Sequence, residues 1–215
     1  MVRGDTVQTL LVATSNSGKL DEIRQFLSSF PLQVHGLETL SDVPPCSESG
    51  VTFAENARQK AEYYSQFCGG LTLADDSGLI VDALNGIPGV HSARFVSLSA
   101  SDEERYREVL RLMESVPEPS RQARFVCCLA LARRGKFLDL FEGVVEGHIT
   151  YEPRGERGFG YDPIFLIPEV GKTMAELEAE QKLLLSHRGN ALKKFSSALT
   201  DLLALAPENS TGTAF

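Results

Sequence analysis

Two adjacent carboxylates, Asp75 and Asp76, stand in Ala74-Asp75-Asp76-Ser77-Gly78, directly after the apolar run Leu71-Thr72-Leu73. Carboxylates at the carboxyl end of a strand occupy the place where open α/β sheets bind ligands. Successive strand residues point to opposite faces, so one of the pair faces a cleft while the other braces the loop. Beside phosphate, oxygen donors of this kind suit Mg²⁺. The same residues also suit a turn between two strands of a hairpin. A second segment, Thr14-Ser15-Asn16-Ser17-Gly18-Lys19, lies between an apolar strand-like run and a helical pattern. Backbone amides at such a turn point at an anion on the helix N-terminus, and Lys19 adds a point charge. It is not a Walker A loop, because Ala13 stands where the first Gly belongs and Leu20 replaces the Ser/Thr metal ligand.

Three further segments carry weaker signals. In Gly158-Phe159-Gly160-Tyr161-Asp162-Pro163, glycines flank an aromatic ring that could stack on a base, or else join the core. Ser186-His187-Arg188-Gly189 opens a helix, with Lys182 upstream, and puts basic groups at the positive end of a dipole. A broken local rule of this kind is a mark of functional sites, and an anionic or acceptor-rich ligand would relieve it. Glu48, in Ser47-Glu48-Ser49-Gly50, reads by itself as a solvated loop acid.

The elements that must position these groups are legible in the apolar spacing. Residues 10–14 form a short buried strand, and Leu20, Ile23, Phe26, Leu27 and Phe30 follow at helical spacing. Asp21 and Glu22 are expected in the first turn of that helix, where the dipole favours them. Capping boxes at Thr52/Glu55, Ser101/Glu104 and Thr173/Glu176 predict three more helices, and Ser186 caps another through Leu192, Phe195 and Leu199. Strand-like runs cover 71–74, 79–84, 124–132, 137–145 and 163–167, the middle pair joined by the hairpin signal Arg133-Arg134-Gly135-Lys136. Early alternation of strand and helix with a central hairpin predicts an α/β fold with a mixed sheet. A single domain over 1–206 with a loose tail at 207–215 fits the length.

Composition narrows the class. With 42% apolar and 23% charged residues, the chain reads as an ordinary globular protein. A net charge of −8 and no basic run argue against a nucleic-acid polymer as partner. Apolar runs are far too short for a membrane span, and Met1 to Thr9 lacks signal-peptide order. Cys46, Cys68, Cys127 and Cys128 form no C-x-x-C pair, so neither structural zinc nor a disulfide framework is expected and a reduced cytoplasmic setting is.

In their order and spacing these segments resemble the non-standard purine nucleoside triphosphate pyrophosphatases, the inosine/xanthosine triphosphate pyrophosphatase family. The resemblance runs from about Leu10 to about Ala204 and is most specific at Thr14–Lys19, Thr52–Ala57, Ala74–Gly78 with Pro88–Arg94 after it, Gly158–Asp162 and Ser186–Gly189. It implies hydrolysis of ITP, dITP or XTP to the monophosphate and pyrophosphate with Mg²⁺. It also implies an elongated mixed sheet flanked by helices, two lobes around a cleft, and a homodimer. By resemblance, Thr14, Ser15, Asn16, Ser17, Gly18 and Lys19 cradle the triphosphate, Asp76 is proton acceptor and metal ligand, and Glu48 is the second metal-binding acid. Ser77, Phe159, Gly160, Tyr161, Asp162, Lys182, His187 and Arg188 correspond to substrate contacts, with Arg188 or His187 as donor to the 6-oxo group. A non-catalytic nucleotide sensor would keep Lys19, Phe159 and Arg188 but has no need of Asp76 and Glu48 together with Asp75.

Overall fold

The computed structural model describes residues 8–204, so the expected tail at 207–215 lies outside the described residues. Strand β1 (Gln8–Ala13) leads into helix α1 (Ser17–Leu27) and returns as β2 (Leu32–Gly36), an edge strand without a strong sequence signal of its own. Helix α2 (Phe53–Tyr64), strand β3 (Leu71–Val81) and helix α3 (Asp102–Leu112) follow. The hairpin is β4 (Gln122–Arg133) and β5 (Lys136–Ile149), and the chain closes with β6 (Phe165–Ile167), β7 (Lys172–Thr173), α4 (Ala179–Leu185) and α5 (His187–Ala204). One open seven-stranded sheet runs in the order β2-β1-β3-β4-β5-β6-β7. β1 pairs in parallel with β2 and β3, whereas the remaining pairings are antiparallel, so the sheet is mixed as expected.

The local chemistry follows the expected rules in most places. Complete capping boxes at Thr52/Glu55 and Ser101/Glu104 open α2 and α3. The β4–β5 hairpin turns at Arg134 and Gly135, with φ of 52° and 74°, the paired positive values of a tight hairpin turn. The box at Thr173/Glu176 is also complete, but it opens only a 3-10 turn, Met174–Glu176, and α4 begins later. Asp21 and Glu22 are not in the first turn of α1, because the helix starts at Ser17 with Asn16 as its cap. That displacement turns Glu22 inward rather than toward the dipole.

The largest departure concerns β3. The two expected strands around a turn at 75–78 are one strand of 11 residues, with Asp75 opposite Leu129 and Asp76 opposite Cys128. Polar Asp-Asp-Ser-Gly has poor strand propensity, yet the ladder to β4 continues through it without interruption. The strand end that does occur there belongs to β1, whose last residue, Ala13, lies beside Ala74.

Alternation along β3 then decides where the core must break. Leu71 and Leu73 face one apolar cluster with α1 and α5, and Leu79 and Val81 face a second one with α3 and β6. Asp75 and Ser77 share that face and fall in the gap between the two clusters. Ala74 faces the opposite side, against α2, and Asp76 shares that parity. Two cores on one sheet face with a polar strip between them are the physical basis of the two-lobed arrangement.

One buried cation stitches the second lobe. Arg121 is 1% exposed and donates to the carbonyls of Met113, Val116, Ile149 and Thr150, tying the end of α3 to the end of β5. Each orphaned buried acceptor costs about 1–3 kcal/mol. Arg121→Ala is therefore expected to lower the unfolding free energy by at least about 3 kcal/mol in urea titration, and a loss under about 1 kcal/mol would reject this role.

Candidate active site

The polar strip of β3 receives side chains from two helices. From α1, Lys19 Nζ lies 2.6 Å from Asp75 Oδ1. From α5, Arg188 Nε lies 2.8 Å from Asp75 Oδ2. Ser77 Oγ donates to Asp75 Oδ1 and accepts from Arg188 Nη2, each at 2.9 Å. The Cys127 thiol completes the shell at 3.3 Å. Burial opposes the charge on Asp75, but Arg188 and then Lys19 hold its carboxyl well below the usual range.

Asp75 is one link of a buried chain of alternating charge. Arg188 Nη1 is also paired with Glu22, and Glu22 in turn takes Lys182 at 2.6 Å. Lys182 lies 2.6 Å from Asp162, whose Oδ2 also accepts from the Phe159 amide at 2.9 Å. Basic groups at the start of α5 therefore find their counter-charges inside the protein. His187 carries no charge there, because burial and Arg188 push it well below the ordinary histidine value, and its ring stacks on Phe125 at 4.7 Å. The close approach of α5 to the sheet depends on Gly143, where any Cβ would overlap the His187 carbonyl.

Asp76 looks the other way, toward α2. Lys60 Nζ lies 3.1 Å from Asp76 Oδ1 and 3.3 Å from Glu48. Oδ2 of Asp76 is buried with no partner among the described residues. Burial, the largest influence, raises the Asp76 pKa above the ordinary value, while Lys60 pulls it back. Lys60 was not singled out in the sequence; the available signal was its place about two turns into a capped helix, the one that packs on β3.

Two chambers share this strip as a wall. The first, about 390 Å³, holds Thr14, Ser15, Glu48, Lys60 and Asp76. The second, about 290 Å³, holds Phe159, Gly160, Tyr161, Asp162, Lys182, His187 and Arg188. Asn16, Lys19 and Ser77 border both. Ser17 and Gly18 line neither; they form the first turn of α1, and a Cβ on Gly18 would meet the Phe159 ring at 2.5 Å. The Phe159 ring sits under Lys182 Nζ at 4.4 Å. Tyr161 is anchored in the core, its hydroxyl donating to the Ser92 carbonyl at 2.8 Å, and Asp162 braces the loop.

An open mixed α/β sheet with a helix N-terminus and a charged, two-chambered crevice at the end of its parallel strand β1 defines an α/β protein built to hold a small, elongated polar ligand. The sequence model of the Ham1 family matches residues 10–198, and the chain belongs to that family. It is 43% identical to the dITP/XTP pyrophosphatase of Geobacillus kaustophilus over 92% of this chain and 97% of that protein. It is 49% identical to the dITP/XTP pyrophosphatase of Geobacter sulfurreducens over 85% and 92% of the two chains. A Ham1 protein from Coxiella burnetii superimposes with a TM-score of 0.81 at 41% identity, covering 90% of this chain and 99% of that one.

Glu22 is the acid that sequence inspection assigned only to a helix dipole, and it holds two cations at once. Glu22→Gln leaves Lys182 and Arg188 short of a charge, so about 3 kcal/mol of stability is expected to go at neutral pH. The Glu22 pKa is lowered in the folded state, so its contribution is fully present above the ordinary carboxylate value and disappears as pH falls below about 4. Urea midpoints of both proteins should converge on acidification; a constant gap would refute the assignment.

Proposed function

We propose that the crevice hydrolyses dITP, ITP and XTP to the monophosphate and pyrophosphate, with Mg²⁺. Membership of the Ham1 family makes the chain a nucleoside triphosphate pyrophosphatase. The observation that carries the finer reading is the shared wall of the two chambers. A triphosphate lying along Asn16, Lys19 and Ser77 puts its base in the chamber of Phe159 and His187 and its phosphates beside Asp76.

Charge supports the need for a metal. Lys19, Lys60, Arg94, Arg105, Lys182 and Arg188 are the cations at the crevice, and Glu22, Glu48, Asp75, Asp76, Asp102 and Asp162 match them as six carboxylates. Those cations are already balanced, and His187 adds no charge, so a polyanion needs positive charge from elsewhere. Asp76 and Glu48 are hard oxygen donors, Oδ2 of Asp76 is without a partner among the described residues, and Lys60 bridging both acids supports reading the place as one suited to a cation. Described residues offer no group of three or more acids, histidines or cysteines, so water and phosphate oxygens would complete the shell. When bound there, Mg²⁺ would neutralise charge developing on the phosphates and acidify its water.

The protein's own residues supply position and a proton acceptor. The amides at the start of α1 and Lys19 hold the phosphate chain. Water attacks the α-phosphorus, the bond from that phosphorus to the α–β bridging oxygen breaks, and pyrophosphate leaves with the bridging oxygen. The water proton passes to Asp76 Oδ2. Burial that raises the Asp76 pKa makes it a better base than an ordinary aspartate. We further propose that the enzyme works as a cytoplasmic homodimer, as the family resemblance implies; no helix among the described residues is long and apolar enough to cross a membrane.

Pyrophosphate release from ITP, dITP, XTP, GTP, ATP and dTTP with and without Mg²⁺ tests the reading, and failure to cleave any oxo-purine triphosphate sinks it. Asp76→Asn is expected to lower kcat by about two orders of magnitude or more. The kcat/KM profile should have an acid limb, activity falling as pH drops through it. Because Lys60 lowers the Asp76 pKa, Lys60→Met should move that limb to higher pH, and a limb that stays put would remove Asp76 as the titrating base.

A further inference from the structure

The donors of the second chamber are unequal in their freedom. Arg188 has all three guanidinium nitrogens engaged, by Asp75, Glu22 and Ser77, and keeps only one N–H on Nη1 and one on Nη2 beyond those bonds. Lys182 is held by Glu22 and Asp162. Arg105, on α3, is different. It lines the same chamber, and only its Nη1 is engaged, by Asp102 Oδ1 at 2.8 Å. Its Nε is buried without a partner, and Nη2 makes no hydrogen bond among the described residues. Asp102 also accepts from the Gly160 amide through Oδ2 at 2.7 Å, so one carboxylate fixes Arg105 and the loop that carries Phe159. His187 Nδ1, on the same chamber, is likewise buried without a partner among the described residues.

We propose that Arg105 is a specificity-determining residue that reads the C2 position of the purine. This rests on the pyrophosphatase reading above. Relatives named for dITP and XTP accept bases that differ at C2, hydrogen in one and oxo in the other. What those two bases share, against guanine, is the lack of a C2 amino group, because all three carry a 6-oxo group. A guanidinium has donors and no acceptor. Set against C2, it accepts an oxo group as partner, tolerates hydrogen, and leaves a guanine amino group facing another donor. His187, a neutral imidazole that both donates and accepts, suits the N1/6-oxo side common to all three. Xanthine gains further, since its ring is acidic and the cation favours its ionised form.

The test is kcat/KM of the full-length enzyme and its variants for XTP, ITP and GTP, by pyrophosphate release. Arg105→Ala should lower the XTP/GTP ratio roughly tenfold or more, with ITP reduced less than XTP. Arg105→Gln supplies a carbonyl acceptor for the guanine amino group and should raise GTP turnover relative to XTP, while Arg105→Lys should keep the wild-type order. Calorimetric binding of xanthosine and guanosine monophosphates gives the same comparison without catalysis. Equal losses for all three substrates, in whichever variants fold, would assign Arg105 to loop positioning through Asp102 and overturn the proposal, as would unchanged ratios. If the wild-type enzyme cleaves none of the three, the pyrophosphatase reading itself fails.

Discussion

A carboxylate buried in the middle of a strand is the constraint around which this protein is arranged. Asp75 is wholly enclosed, and a lone carboxylate there would cost many kcal/mol or lose its charge. Lys19 and Arg188 keep it ionised, and they come from helices at opposite ends of the chain. Satisfying one acid therefore fixes α1 and α5 relative to β3. Arg188 then needs a second counter-charge, which Glu22 supplies, and Glu22 brings in Lys182, which brings in Asp162 and the Phe159 loop. The crevice is the space this chain of charges encloses.

The same constraint gives the two adjacent acids different surroundings. Cations that face Asp75 are paired with the protein's own acids and so orient the walls, while Lys19 also borders both chambers. Asp76, one residue on, points through the sheet to a different helix and keeps one oxygen unpaired. The strand's two-residue period thus places a fully paired acid and an acid with one unpartnered oxygen back to back. Apolar packing above and below the strip on one face, and against α2 on the other, makes both acids rigid.

Local signals were legible wherever they are local in origin. The boxes at Thr52 and Ser101, the Arg134-Gly135 turn and the Ser186 cap depend on residues within one turn of each other, and they occur as read. The box at Thr173 shows the limit, since its hydrogen bonds form but the chain beyond it does not continue as a helix. Asp-Asp-Ser-Gly misled for a different reason. Turn propensity is a weak local preference, and a twelve-residue partner strand overrides it by pairing every residue from Thr72 to Val81.

Residue types and spacing by themselves determined that a Gly-Lys turn at a helix start, a pair of acids, an aromatic loop and a second, basic helix start would be present, and that a mixed α/β sheet would carry them. Only the tertiary structure decided what each group faces. Arg188 is held in place by Asp75, Glu22 and Ser77, whereas Lys60 and Arg105, silent in the sequence, border the chambers with Asp76 and Phe159. The reason is that charge pairing acts between residues as far apart in the chain as Glu22 and Arg188, and no short-range pattern encodes which partner will be near when the chain has folded.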